Sequence, residues 1–184
     1  FGEDTIFQRD PHLLMASALV YLIEGDERYG QMAKDMVRVL VDHVLWGDPR
    51  VYGADPDLMW KAMFCALVLD WLGEVLDPDE RRSLRDRIVE NGLIVYQWAM
   101  ENDAAPWKGS IANLTPISDG GAAALALVLR DEALDAEAVL TIAREDVQTP
   151  LRAFPPEGSW PESVNYWGVF LHGIVFYGAT MESG

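Results

Sequence analysis

The chain has 184 residues, and 30 acidic against 14 basic side chains leave a formal charge of −16. Half of the residues are hydrophobic and seven are Trp, which excludes a disordered chain, and the length suits one domain rather than two. A pI near 4.3 excludes the basic surface that phosphate binding needs, so no nucleic-acid partner is expected.

One cysteine, Cys65, rules out an intramolecular disulfide. His12, His43 and His172 are too dispersed to suggest a metal cluster, so neither metal nor cofactor is expected. The chain opens on Phe1-Gly2-Glu3-Asp4, without an initiator Met or a basic, apolar leader. It is therefore expected to be one domain, residues 1–184, cut from a longer protein.

Helix starts are read from acceptor–proline pairs, where a side chain caps free N–H groups and proline occupies the first helical position. Asp10-Pro11, Asp55-Pro56, Asp77-Pro78 and Thr115-Pro116 have this form. Asp77-Pro78-Asp79-Glu80 adds the glutamate of a capping box, and Asp26-Glu27 opens a helix after Gly25. Gly25, Gly47 and Gly73 mark stops. These signals predict helices over 11–24, 27–46, 56–75, 78–101, 116–131, 134–150 and 163–181. No alternating polar/apolar run of useful length predicts a strand.

Short connections pair the first six helices into three hairpins, leaving one more helix. Helix 78–101 opens on a dense charged face. Helix 116–131 is small and apolar all round from Gly120 to Leu127, where Gly120-Gly121 predicts a close helix–helix approach. The last helix lies in a run without Asp, Glu, Lys or Arg from Ser163 to Met181. That run nears the length of a membrane span, about 20 residues. Its Asn165, His172 and three glycines favour a helix buried in a helical domain, and no membrane insertion is expected. Alternation of charged and wholly apolar helices predicts two layers, as in an all-α, incomplete (α/α) toroid.

Two longer connections, Asn102 to Thr115 and Leu151 to Glu162, are rich in Trp, Pro, Gly and Ser, where function usually sits on a helical scaffold. Trp107, Trp160 and Trp167 flank them and offer flat faces for sugar rings. Trp60, Trp71 and Trp98, with Met15, Met32, Met36, Met59 and Met63, fall at helical spacings and read as core. Cys65, inside an apolar run, reads as an inert buried thiol.

Two stretches carry a family resemblance. Ala66-Leu67-Val68-Leu69-Asp70-Trp71-Leu72 running into Leu76-Asp77-Pro78-Asp79-Glu80-Arg81-Arg82 resembles a "DWLYD.L.PEER" hairpin. Asn113 through Leu127, followed by Phe154-Pro155-Pro156-Glu157-Gly158-Ser159-Trp160-Pro161-Glu162-Ser163-Val164-Asn165-Tyr166-Trp167-Gly168, is similar to "N…GG…AALAL" and "PDGSWPEG..YW". Both patterns belong to the helical domain of the heparinase II/III-like and alginate-lyase group of polysaccharide lyases.

The resemblance implies an α/α toroid, normally followed by a β-sandwich domain, in a periplasmic or secreted enzyme. It also implies β-elimination on uronic-acid glycans. Asn113 would neutralise the substrate carboxylate, and Tyr166 would act as base or acid. Glu162 would bind sugar hydroxyls or orient Tyr166. Trp107, Trp160, Trp167, Lys108, Asp119 and His172 complete the expected substrate contacts. One departure is plain: where the group carries His or Trp after the asparagine, this chain has Leu114.

A tyrosine base, ordinarily near pKa ~10, needs a cation or a hydrogen-bond network, and Lys108 and Arg152 are the nearest by motif position. Each candidate also has a plainer reading. Asn113 can cap a loop, Tyr166 can pack at a helix start, and Glu162 and Asp119 can serve helix N-termini. The pair Asp119 and Glu162 would equally suit a glycoside hydrolase. A non-catalytic glycan-binding or scaffold domain is the third reading. The strong negative charge favours a carboxylated or weakly charged glycan over a heavily sulfated one, although screening acts beyond about 8 Å.

Overall fold

A computed structural model describes residues 11–42, 57–73, 75–131, 136–160 and 162–183. Within them the chain is all helical, with no strand. The helices are α1 (Pro11–Glu24), α2 (Glu27–Asp42), α3 (Asp57–Trp71), α4 (Pro78–Ile88), α5 (Ile94–Glu101), α6 (Leu114–Val128), α7 (Ala136–Asp146), α8 (Gln148–Ala153) and α9 (Val164–Ser183). The expected caps at Asp10 and Asp55, the stop at Gly47, His43, and the side chains of Met59 and Trp60 lie outside the described residues.

The sequence signals act locally much as they read. Gly25 ends α1 at φ +68°, a left-handed conformation that costs glycine nothing, and its N–H donates to the Tyr21 carbonyl at 2.8 Å. Asp77 caps α4, its carboxylate accepting from the Asp79 N–H at 2.9 Å and the Glu80 N–H at 3.4 Å. Glu80 does not close the expected capping box. Its carboxylate pairs with Arg38 on α2 instead. Arg81 donates to the Leu69 carbonyl and Lys34 to the Val75 carbonyl, each at 2.8 Å, so both ends of the turn after α3 are held by cations.

Three expected helices differ. Helix 78–101 is interrupted by one π turn, Val89–Leu93, between α4 and α5. One residue inserted into the helical repeat rotates everything after it by about 100°. Helix 134–150 divides into α7 and α8. The helix expected over 116–131 starts earlier, at Leu114, with Asn113 rather than Thr115 at the N-cap. The Thr115 hydroxyl turns back into the preceding loop, 2.7 Å from the Trp107 carbonyl and 2.9 Å from that of Ser110.

Packing centres on α6. It touches α3, α9 and α7, and every residue from Thr115 to Ala126 is buried. Two series of neighbours result: α1–α3–α6–α9, and the more charged α2–α4 and α5–α7 pairs. Cys65 and Met63 lie in the core as expected, and burial pushes the Cys65 thiol far up, which makes it a poor nucleophile. The last helix is less enclosed than expected. Val164, Tyr166 and Val175 are exposed along α9, whose main packing is on α6. No helix among the described residues is long and apolar enough to cross a membrane.

The α6–α9 crossing is a backbone-to-backbone approach. A Cβ placed on Gly173 would lie 2.8 Å from the Ile117 nitrogen and 2.9 Å from the Pro116 carbonyl carbon, and one on Gly120 would lie 3.3 Å from the Gly173 oxygen. These are rigid atoms that cannot step aside. Gly173→Ala is therefore expected to cost roughly 1–3 kcal/mol, despite alanine's better helix propensity. Gly178→Ala, where a Cβ meets nothing within 4 Å, should be neutral or stabilising. Urea midpoints of the two variants check this, and equal midpoints would contradict the close approach.

Candidate functional site

The loop after α8 returns to the N-terminus of α6 through Glu162. Its Oε2 accepts the Asn113 N–H at 2.8 Å and the Trp160 indole N–H at 2.9 Å. With the Asn113 amide turned so that its nitrogen rather than its oxygen meets the same carboxylate, the assignment the acceptors around it require, that nitrogen lies 3.0 Å from Oε1 and 3.1 Å from Oε2. The first N–H groups of a helix lack intrahelical acceptors and carry partial positive charge, so a carboxylate suits this place. Asn113 itself makes no side-chain cap. Glu162 thus supplies from 49 residues away what the local sequence does not.

Trp160 is held on its other side by aromatic packing. Its ring lies 4.0 Å from Phe170 and 5.7 Å from Phe154, and these two phenylalanines stack at 5.4 Å. The cluster anchors the 154–160 turn against α9. Gly158, Ser159, Trp160, Ser163, Val164 and Trp167 then line a cleft of about 210 Å³. On the first turn of α9, Tyr166 is 53% exposed and Trp167 is 37% exposed. The Ser163 hydroxyl accepts the Tyr166 N–H at 3.4 Å. Further along the same helix, His172 is exposed.

Three expected contacts are placed elsewhere. Trp107 is 0% exposed, stacked on Tyr96 at 6.5 Å, so it presents no face to a sugar. Its large ring joins the main apolar core through Tyr96, where it gains more from burial than from solvent. Asp119 is also 0% exposed, and Tyr96 donates to its Oδ1 at 2.8 Å. A closed-in carboxyl cannot serve as half of a hydrolytic acid pair, which removes Asp119 from that reading. Lys108 is clamped at 2.5 Å to both the Met100 carbonyl and Asp103. It lines a separate cleft of about 320 Å³ with Glu101, Ile142, Glu145 and Asp146.

Nothing in the sequence singles out Tyr96, Phe170 or Asp146, and Phe154 stands out only as the first residue of a motif stretch. Tyr96 reaches Asp119 only after the π turn has rotated α5, and no spacing rule announces that turn. Asp146 accepts the Gly109 N–H at 2.8 Å and so ties α7 to the Trp107 loop. Burial raises its pKa, opposed by the Gly109 N–H and by Lys108. Among the described residues, no group of three or more metal-ligating side chains converges.

Comparison with protein-family models and with curated proteins finds no match for this chain.

Burial pushes the Asp119 carboxyl well above its ordinary value of 3.8, and the nearby Asp146 charge adds to this, while the Tyr96 hydroxyl opposes it. Burial likewise raises Tyr96. A folded-state carboxyl with a raised pKa keeps a proton that the unfolded chain releases near pH 4. Its contribution to stability is complete below that pH. It is lost as pH rises toward the folded value, by about 1.4 kcal/mol per pH unit. Asp119→Asn removes this loss, so its stability should fall less steeply than the parent's above pH 4. Denaturant titrations from pH 4 upward measure both slopes, and parallel curves would contradict a protonated Asp119.

Proposed function

We propose that this chain is the helical domain of a polysaccharide lyase of the heparinase II/III-like and alginate-lyase type, acting on uronate-containing glycans. One observation supports this most. The two motif stretches meet: Asn113 from one and Trp160 and Glu162 from the other share a single carboxylate. The adjacency of α1, α3, α6 and α9, with more polar helices alongside, is what an incomplete α/α toroid would require.

In this reading the aromatic cleft seats the glycan near Glu162, which bridges Trp160 to Asn113, itself 5% exposed. The substrate carboxylate takes the place of Glu162 on the Asn113 amide, which withdraws charge from the ring and acidifies the C5 proton. Tyr166, exposed on the first turn of α9, removes that proton or protonates the leaving oxygen. Lys108, engaged by Asp103 and Met100, is not the cation that would activate it. Arg152, exposed in the last turn of α8, is the remaining candidate for that charge.

A second reading is glycan binding without turnover. It is favoured by the same bond, because an amide already committed to Glu162 is not offered to a substrate. A panel of uronate polysaccharides separates the two, with the longest natural form of the chain tested beside this 184-residue piece. A lyase gives rising ultraviolet absorbance from the new C4–C5 double bond, reduced about a hundredfold or more in Tyr166→Phe. Saturable binding without product supports the second reading. Reducing ends without absorbance would mean hydrolysis and overturn the lyase assignment.

A further inference from the structure

The cleft beside Glu162 has a composition that selects among sugars. Of its lining residues, Trp160 and Trp167 are aromatic, Ser159 and Ser163 carry hydroxyls, and none is Lys or Arg. Trp160 spends one face on Phe170, whereas Trp167 remains 37% exposed. The nearest charge bonded to this wall is negative, since the Trp160 indole donates to Glu162. At about 210 Å³ the cleft is smaller than the roughly 300–1,000 Å³ of drug-sized sites, so it suits one ring rather than a chain of them.

Aromatic faces stack on the C–H face of any pyranose, charged or not. A carboxylated ring would bring its anion beside an exposed glutamate with no cation on the wall to offset it, and like charges so placed repel. A neutral ring meets no such penalty, and its hydroxyls can donate to the free lone pairs of Glu162.

We propose that this cleft is a subsite for an uncharged pyranose, stacked on Trp167 and hydrogen-bonded to Glu162, and that it rejects uronates. The inference rests on the reading of this face as sugar-binding. It deepens that reading by naming the glycan: one in which a neutral sugar lies next to the uronate, rather than a continuous polyuronate. Trp167 then serves the neutral sugar, and the uronate lies outside this cleft.

Calorimetric titration of the 184-residue chain with neutral gluco-, manno- and galacto-tetrasaccharides, against mannuronate, guluronate and galacturonate tetramers, tests it. At least one neutral series should bind more tightly than every uronate series. Trp167→Ala should weaken that binding roughly tenfold with an unchanged circular dichroism spectrum. Glu162→Gln should narrow the neutral-over-uronate preference, a change that loss of structure alone does not produce. Val164→Lys, at a lining position 82% exposed, adds a cation without touching the core and should raise uronate affinity. Uronates binding as tightly as neutral sugars, or undiminished neutral binding in Trp167→Ala, would overturn the subsite. So would the absence of neutral binding. The lyase reading fails separately, on the absence of a double-bond product, so the two failures are distinguishable.

Discussion

The structure depends on burying one helix on every side. From Thr115 to Ala126, α6 exposes almost nothing, and its small residues let α3, α7 and α9 approach closely. Small side chains contribute little apolar area each, so the gain comes from close backbone approach and from the larger residues of the neighbours. Gly173 against the Pro116–Ile117 peptide shows how close that approach is. The position of α9, and with it Tyr166 and Trp167, follows from this contact.

Enclosing a helix completely leaves its polar residues without water. Asp119 meets the constraint by accepting from Tyr96, and burial pushes its carboxyl well above the ordinary value, toward the neutral form that is far less costly to bury than a charge. At the helix N-terminus the same constraint is met from outside, by Glu162. Asp119, in the second turn of α6, is thus held inside the core. Glu162 caps the N-terminus of the same helix from the surface, and only this carboxylate is available to a ligand. The candidate site is in this sense a by-product of capping a buried helix, with Trp160, Tyr166 and Trp167 on the segment that carries the cap.

Much of the helical order was legible because its signals are local. An N-cap such as Asp77, a left-handed glycine such as Gly25 and the absence of alternating patterns depend on a few neighbouring residues. The π turn was not legible as such: Asn91-Gly92 within Val89–Leu93 is a breaker pair, but a breaker marks a weak point in a helix without saying whether the helix stops, kinks or takes in one extra residue. The site was legible in part. Asn113, Trp160 and Glu162 drew notice for their motifs, and the structure places them in contact. Trp107 and Asp119 drew notice for the same reasons and lie in the core. A tryptophan in a loop and an aspartate in a first turn have the same sequence appearance whether exposed or buried.

The sequence by itself determined the all-helical character, the strong negative charge, the approximate helix bounds and the presence of one helix too small and apolar to face water. Each follows from propensity, capping and composition, which act over a few residues. Only the tertiary structure decided which carboxylate is buried, which tryptophan faces solvent and which distant residue caps α6. Those depend on long-range packing, where a single inserted residue in a helix redirects every side chain after it.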